Sequence, residues 1–326
     1  MTRAAWIIAI AFATPLCAAE PRVEVKADVA EFRFGPELVG RYLFDAKQPK
    51  PYLWPLNAPG GIGVTRPFPM EPAAKGGTAD HIHHKSAWFS HGDILVDGIE
   101  PAKKVRGVEG FDFWDEAPGH STVVCVGASK AGDAKLTLRN EWRSPEGRKL
   151  LDETRTVTLY DRGGDRMFVF DIDIHASVAA LTFADTKEGA FAIRVRDDLR
   201  VGEKDKINPK SKITNAEGKI NQAGCWGQLS AWCDYSGEVE GKTVGVAILA
   251  DPTNPQPSCW HSRDYGLMAA NPFGRSKSGF PAMKGRTDAV KVAKGDHLKM
   301  RFGLLVHAGD ASNVAGVYEW FAKLPH

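Results

Sequence analysis

The chain has 326 residues, with 42 Lys and Arg against 40 Asp and Glu, 43% hydrophobic residues and 25% charged ones. That balance excludes a disordered chain and a multi-span membrane protein. A net charge of +2, spread without long runs of one sign, gives no electrostatic footprint for nucleic acid or an anionic membrane surface, so no nucleic-acid partner is expected.

The first residues read as an export signal. Arg3 supplies a positive start, 6–14 an apolar stretch, and Cys17-Ala18-Ala19 a small-residue cleavage site ahead of Glu20. That stretch is too short to span a bilayer and no other segment is long and apolar enough, so no transmembrane span is expected. Cleavage would leave residues 20–326, read as a single β-sandwich domain, in a periplasmic or extracellular setting. Cys125, Cys225, Cys233 and Cys259 then form an even set, compatible with disulfides whose pairing sequence cannot rank and equally with free buried thiols. Cys225 and Cys233 are close enough in sequence to bridge one hairpin or loop, and no Cys-x-x-Cys pair points to zinc.

Period-two alternation with β-branched or aromatic enrichment marks strands at 23–34, 38–44, 121–126, 135–142, 153–159, 167–175 and 190–195. Further runs follow at 228–233, 243–249, 265–269, 288–292 and 298–307, separated by Gly, Pro, Asn or Asp clusters. Residues 197–224 lack apolar periodicity and read as a surface loop or insertion. The one expected helix is C-terminal. Asp310 or Ser312 caps it, Val314, Val317, Tyr318 and Phe321 recur at helical spacing, and Pro325 stops it. Strand patterning is alike on both sides of 197–224, and 33 Gly, 20 Pro and 9 Trp suit turns and aromatic faces. The expected fold is therefore all-β, a large antiparallel β-sandwich with one C-terminal helix.

The densest chemical segment is 77–89, where His81, His83 and His84 fall close together ahead of Trp88. Read as extended, it projects His81 and His83 to one face and His84, with Ile82, to the other. Two imidazoles can then converge on a ligand or a metal. A metal at this cluster would need ligands from elsewhere, and no second His pair or His/carboxylate spacing names one, so no cofactor is expected. Downstream, 110–116 mixes Trp114 with Asp112, Asp115 and Glu116, a combination that suits a sugar site and also an ordinary strand with solvated acids. Lys187 and Glu188 stand at the mouth of a strand, where Glu188 is a candidate general base tuned by Arg194 or Lys187, or a member of a structural salt bridge. In 259–274, His261, Arg263, Tyr265 and Asn271 are costly to bury unless they contact a ligand or one another. There is no Ser nucleophile elbow, P-loop, dinucleotide fingerprint or metalloprotease helix.

From Tyr52 onward, several motifs occur in one order: Pro51-Tyr52-Leu53, Gly63-Val64-Thr65-Arg66, Asp80-His81-Ile82-His83-His84-Lys85, Phe113-Trp114, Asp185-Thr186-Lys187-Glu188-Gly189, Trp260-His261-Ser262-Arg263-Asp264-Tyr265-Gly266 and Asn271-Pro272-Phe273-Gly274. In them the chain resembles a large family of exported bacterial proteins of unknown function that travels under a methane-oxygenase (PmoA-like) label. A membrane copper monooxygenase subunit needs transmembrane helices, so the label supplies a name without a reaction. That family is similar in turn to the galactose-mutarotase-like supersandwich, an antiparallel architecture shared by epimerases, lyases and glycoside-active enzymes. The resemblance implies a supersandwich-like fold and a His acid with a Glu base on a sugar ring, roles open to His81 or His83 with Glu188 or His261.

The expectation is an exported carbohydrate-active enzyme with a saccharide or glycoside as its ligand. His83 or His261 would donate a proton and Glu188 accept one, Arg263 and Asn271 would hold polar or anionic groups, Trp88 or Trp114 would stack on the ring, and His84 and Tyr265 would add contacts. Two other readings are a non-catalytic carbohydrate-binding protein and a metal-dependent oxygenase or lyase centred on the three histidines.

Overall fold

The computed structural model describes residues 20–203 and 206–325; the expected export signal at 1–19 lies outside them. Its nine-stranded sheet runs, in spatial order, Pro21–Val25, Val29–Phe34, Glu37–Leu43, Tyr52–Ala58, Ala87–His91, Gly189–Arg194, Leu267–Asn271 and Cys259–Trp260, with Ile62–Gly63 paired to Tyr52–Ala58. The eight-stranded sheet runs Ser211–Asn215, Trp232–Val239, Lys242–Ala250, His297–Ala308, Asp165–His175, Lys149–Arg162, Lys135–Arg143 and Thr122–Gly132. A three-stranded sheet (Val290–Val292, Leu181–Phe183, Ile94–Val96) closes one end. Neighbouring strands pair antiparallel throughout these sheets.

Alternation decides which face goes inward. Lys135–Arg143 buries Leu136, Leu138, Asn140 and Trp142 and leaves the residues between them toward solvent. The inward faces of the two large sheets meet in one apolar cluster, where the Phe89 ring lies 5.9 Å from Trp142 and Phe191 stacks on Phe302 at 5.4 Å. Each such fully buried ring contributes about 1.5–3 kcal/mol. The outer face of the eight-stranded sheet is covered by the C-terminal helix Val314–Phe321, whose Val314, Val317 and Phe321 pack on Met167, Val169, Leu249 and Leu305. The Asp310 carboxylate caps the turn before it by accepting the Ser312 N–H at 3.1 Å. On the outer face of the nine-stranded sheet, Tyr52, Trp88, Ala192, Leu267 and Ala269 form a second apolar layer with Trp114.

The all-β antiparallel sandwich with its C-terminal helix is thus the observed architecture, with local corrections. The run 23–34 is two strands, turned at 26–28, where the Lys26 N–H bonds the Val29 carbonyl at 2.8 Å. The run 265–269 moves to Leu267–Asn271, because 263–266 closes a turn (Gly266 N–H to Arg263 carbonyl, 3.0 Å) with Gly266 at φ 107. The run 228–233 becomes strand only from Trp232. Residues 197–224 are no structureless loop: they carry strand Ser211–Asn215 of the eight-stranded sheet and a single-turn helix, Asn221–Cys225, and they bury Leu199, Val201 and Ile213. Those apolar residues are spaced too widely to show a period. Among the described residues, Cys125, Cys225, Cys233 and Cys259 are free thiols. Among the described residues no helix is long and apolar enough to cross a membrane.

Candidate functional site

The histidine segment lies over the outer apolar layer of the nine-stranded sheet, and it is a turn rather than an extended stretch. The His84 N–H bonds the His81 carbonyl at 3.0 Å, and His81 takes φ 46. Two buried guanidiniums impose this shape, because each needs acceptors where water is excluded. Arg66 donates to Asp80 Oδ1 at 2.5 Å and to the carbonyls of Asp80 and His81 at 2.9 and 3.0 Å. Arg194 donates to the same Oδ1 at 3.1 Å, and His81 Nδ1 stands 2.6 Å from Asp80 Oδ2. Although burial works against the Asp80 charge, Arg194, His81 and Arg66 hold its carboxyl down to about 2.

The turn removes the expected separation of the three rings onto two faces. His81 stacks on His84 at 4.6 Å, His83 meets His84 edge-on at 4.5 Å, and His81 and His83 lie 5.7 Å apart. His84 is the floor of the group, 1% exposed, stacked on Trp88 at 5.4 Å and edge-on to Trp114 at 6.1 Å. Burial drives its imidazole well below the ordinary range, so it is neutral. Trp88 and Trp114 are each 1% exposed. The expectation that either offers a face to a sugar ring therefore fails: they are packing beneath the site.

His83 Nδ1 faces Asp115 Oδ1 at 3.2 Å, and His120 bridges Asp115 and Asp112 at 3.8 and 3.4 Å. The hydrogen bond from His83 holds the Asp115 carboxyl below the usual carboxylate range. Glu188 approaches from the neighbouring strand, its side chain one-third exposed. Burial raises its carboxyl, against the charges of Lys187, His83 and Arg263 and with that of Asp112. The turn that presents it is fixed at both ends. Asp185 accepts the N–H groups of Arg275 and Lys277, each at 2.5 Å, while the Glu188 N–H bonds Thr186 Oγ1 at 3.2 Å.

Three further expectations change. His261 donates from Nδ1 to the Lys187 carbonyl at 3.0 Å and accepts at Nε2 from Arg263 Nε at 3.1 Å, a tautomer that the network assigns. Burial, then the Arg263 charge, depresses it to about 3. A neutral imidazole with both nitrogens engaged is a brace and no proton donor. Asn271, fully buried, spends its amide on the Thr186 carbonyl and its oxygen on the N–H groups of Phe273 and Gly274, so it holds backbone and no ligand. Arg194, expected to tune Glu188, serves Asp80 and lies 4.7 Å over the Tyr265 ring instead. Tyr265 stacks on His81 at 5.6 Å, and burial pushes its phenol up to about 12.

Of the residues read from sequence, His81, His83, His84, Glu188, His261, Arg263 and Tyr265 are gathered into one interacting group. Asp112 and Asp115 were read only as members of an acid and aromatic mixture, and Asp80 and His120, which orient their neighbours with them, were given no role. The adjacency of Asp80 to His81 was the one available signal; the other pairs join distant parts of the chain. Among the described residues no three His, Cys, Asp or Glu side chains are arranged to hold a metal ion.

The chain belongs to a family of unknown function (DUF6807), whose model matches residues 30–319. That description names no reaction, and nothing in the comparisons supports the methane-oxygenase label. No curated protein matches. Among solved structures, a galactose mutarotase-like protein from Lactobacillus casei ATCC 334 is 12% identical, with 88% of this chain and 100% of that one covered at a TM-score of 0.41. A GalM/aldose epimerase homologue from C. elegans is 9% identical over 90% of this chain and 100% of its own, at 0.42. A polysaccharide lyase is 10% identical over 93% of this chain and 35% of its own, at 0.37. At these scores the likenesses bear no weight for the activity of this chain.

Proposed function

We propose that this protein acts on a saccharide by general acid/base chemistry, with Glu188 as the base and His83 as the acid. One observation carries the reading. A carboxyl raised by burial and an imidazole oriented by its own carboxylate stand close enough for their charges to interact, at a partly open surface. Two titratable groups of opposite kind, in environments that treat them differently, are what proton transfer in two directions requires.

The roles follow from the atoms. A raised carboxyl binds a proton more readily, so Glu188 takes one from a hydroxyl or ring carbon. Asp115 holds His83 by Nδ1 and leaves Nε2 to hand a proton to a ring or bridging oxygen. The charge of Arg263 reaches Glu188, its guanidinium has N–H groups beyond the one bound to His261, and the half-exposed Lys187 adds an ammonium. Both suit hydroxyl or carboxylate oxygens.

The test is Glu188→Gln, which keeps shape and hydrogen bonding and removes the base. Against a panel of glycosides and oligosaccharides, followed by calorimetry and product analysis, the variant is expected to lose about 10²–10⁴-fold in kcat while Kd stays within about twofold. Turnover by the variant at the wild-type rate would exclude Glu188 as the base. Failure of the wild-type protein to bind any member of the panel would remove the saccharide reading itself.

A further inference from the structure

Two charge pairs join the same two loops side by side. His83 meets Asp115 on the side of the reacting cluster, and two residues further along, Lys85 meets Glu116 at 2.7 Å. Behind the second pair, the fully buried Lys50 donates to the other oxygen of Glu116 at 2.7 Å and to the Trp114 carbonyl at 2.8 Å. Lys85 also reaches Gln48 Oε1 at 3.3 Å and sits 5.6 Å over the Tyr52 ring.

This second pair opens into a groove of about 510 Å³, whose walls include Tyr52, Trp54, Met70 and Ile82, a size within the range of small-ligand sites. Ile82 is 50% exposed although it stands between two site histidines. Its side chain faces the groove rather than the core. The Tyr52 ring is buried beneath the ammonium of Lys85, whereas Trp54 is only partly covered and keeps an indole surface at the wall.

We infer that this groove is a subsite for a second sugar unit, so that the saccharide taken by the His83–Glu188 cluster is an oligosaccharide and not a free monosaccharide. The inference rests on the carbohydrate reading above. Its chemistry is complementary to one occupant. The CH face of a pyranose covers Trp54 and Ile82, while vicinal hydroxyls accept from Lys85 and donate to Glu116, a donor and an acceptor already held side by side. Burial works against the Glu116 charge, yet the ammoniums of Lys50 and Lys85 keep it ionised and so able to accept. His83 and Lys85 lie at most about 7 Å apart along the backbone, so neighbouring rings of one chain can occupy both places.

The experiment is calorimetry of the wild-type protein, Trp54→Ala and Ile82→Ala with D-glucose, D-galactose and D-xylose and with their β-1,4-linked tetrasaccharides. For the sugar the protein takes, the wild type is expected to bind the tetrasaccharide at least about tenfold more tightly than the monosaccharide. Both variants are expected to shrink that ratio while leaving monosaccharide affinity unchanged. Ile82→Ala, at a half-exposed position, serves where Trp54→Ala perturbs packing. Monosaccharide binding with no gain in the tetrasaccharide, or equal losses for both lengths in both variants, overturns the subsite and leaves the acid/base reading intact. A length-dependent gain combined with full turnover by Glu188→Gln sinks the acid/base chemistry and keeps the subsite. No binding of any probe overturns both.

Discussion

Histidines buried without charge set how this protein responds to acid. His91 is fully buried and donates from Nε2 to the Ala184 carbonyl at 2.9 Å, and burial depresses it to about 4. Between pH 6.5 and 4 the unfolded chain therefore takes up a proton that the folded chain refuses, and stability falls as pH falls. Glu188 and Asp93, raised by burial, work in the opposite direction because the fold protonates them first. Comparison with His91→Gln isolates one group, since glutamine can still donate to Ala184 but does not titrate. The advantage of wild type over this variant, from urea midpoints, is expected to shrink by about 3 kcal/mol between pH 7 and pH 4. A difference independent of pH would mean that His91 takes up its proton as readily in the fold as in the unfolded chain. At this scale, sequence displayed the right segments because polar residues crowded beside aromatics stand out. It misassigned Asn271 and His261, since whether an amide or imidazole faces a ligand or the backbone depends on contacts with Thr186 and Lys187 that no local pattern encodes.

Ala87–His91 and Gly189–Arg194 pair in the middle of the nine-stranded sheet, and Glu188 stands at the end of one of them. Their pairing leaves no room at Gly189. A Cβ there would stand 2.3 Å from His91 Nδ1, so Gly189→Ala must push the strands apart or turn the imidazole, at a cost of about 1–3 kcal/mol. The same displacement moves Glu188, and kcat on any substrate found is expected to fall together with Tm. Gly132→Ala, whose Cβ would meet only Lys135 Cβ at 3.5 Å, is the control that should leave both nearly unchanged. Thermal melts in which the two variants behave alike would contradict this account. Half-buried strands such as Lys135–Arg143 were legible because one wet face imposes alternation. Ala87–His91 is buried on both faces and has none, and the tryptophan and proline inside Tyr52–Ala58 disguise another strand.

Across the whole molecule, inward aromatics of both large sheets share one cluster, so neither sheet keeps its core without the other. Unfolding is expected to be one transition, with tryptophan fluorescence and far-ultraviolet circular dichroism coincident in denaturant. The tryptophans make this a stringent comparison, because Trp142 reports from between the sheets, Trp88 and Trp114 from under the site, and Trp232 from beneath the terminal helix. Two resolved midpoints would divide the chain into separately folding units. The sandwich was readable in advance because strand patterning persists along the chain; the gathering of His81 and His83 with Glu188 was expected from their chemistry, whereas the pairing of His83 with Asp115 was not, because it depends on how distant loops are laid across the sheet. That pairing has a practical side. The proposed acid and its orienting carboxylate ride on loops laid over an apolar floor of Trp88 and Trp114, not on the sheet's own hydrogen-bonded ladder. Such loops invite redesign at their exposed positions, so a designer seeking a new specificity could vary residues such as Ile82 and Asp115 while keeping Trp88 and Trp114, together with Asp80 and Glu116, which the buried Arg66, Arg194 and Lys50 require.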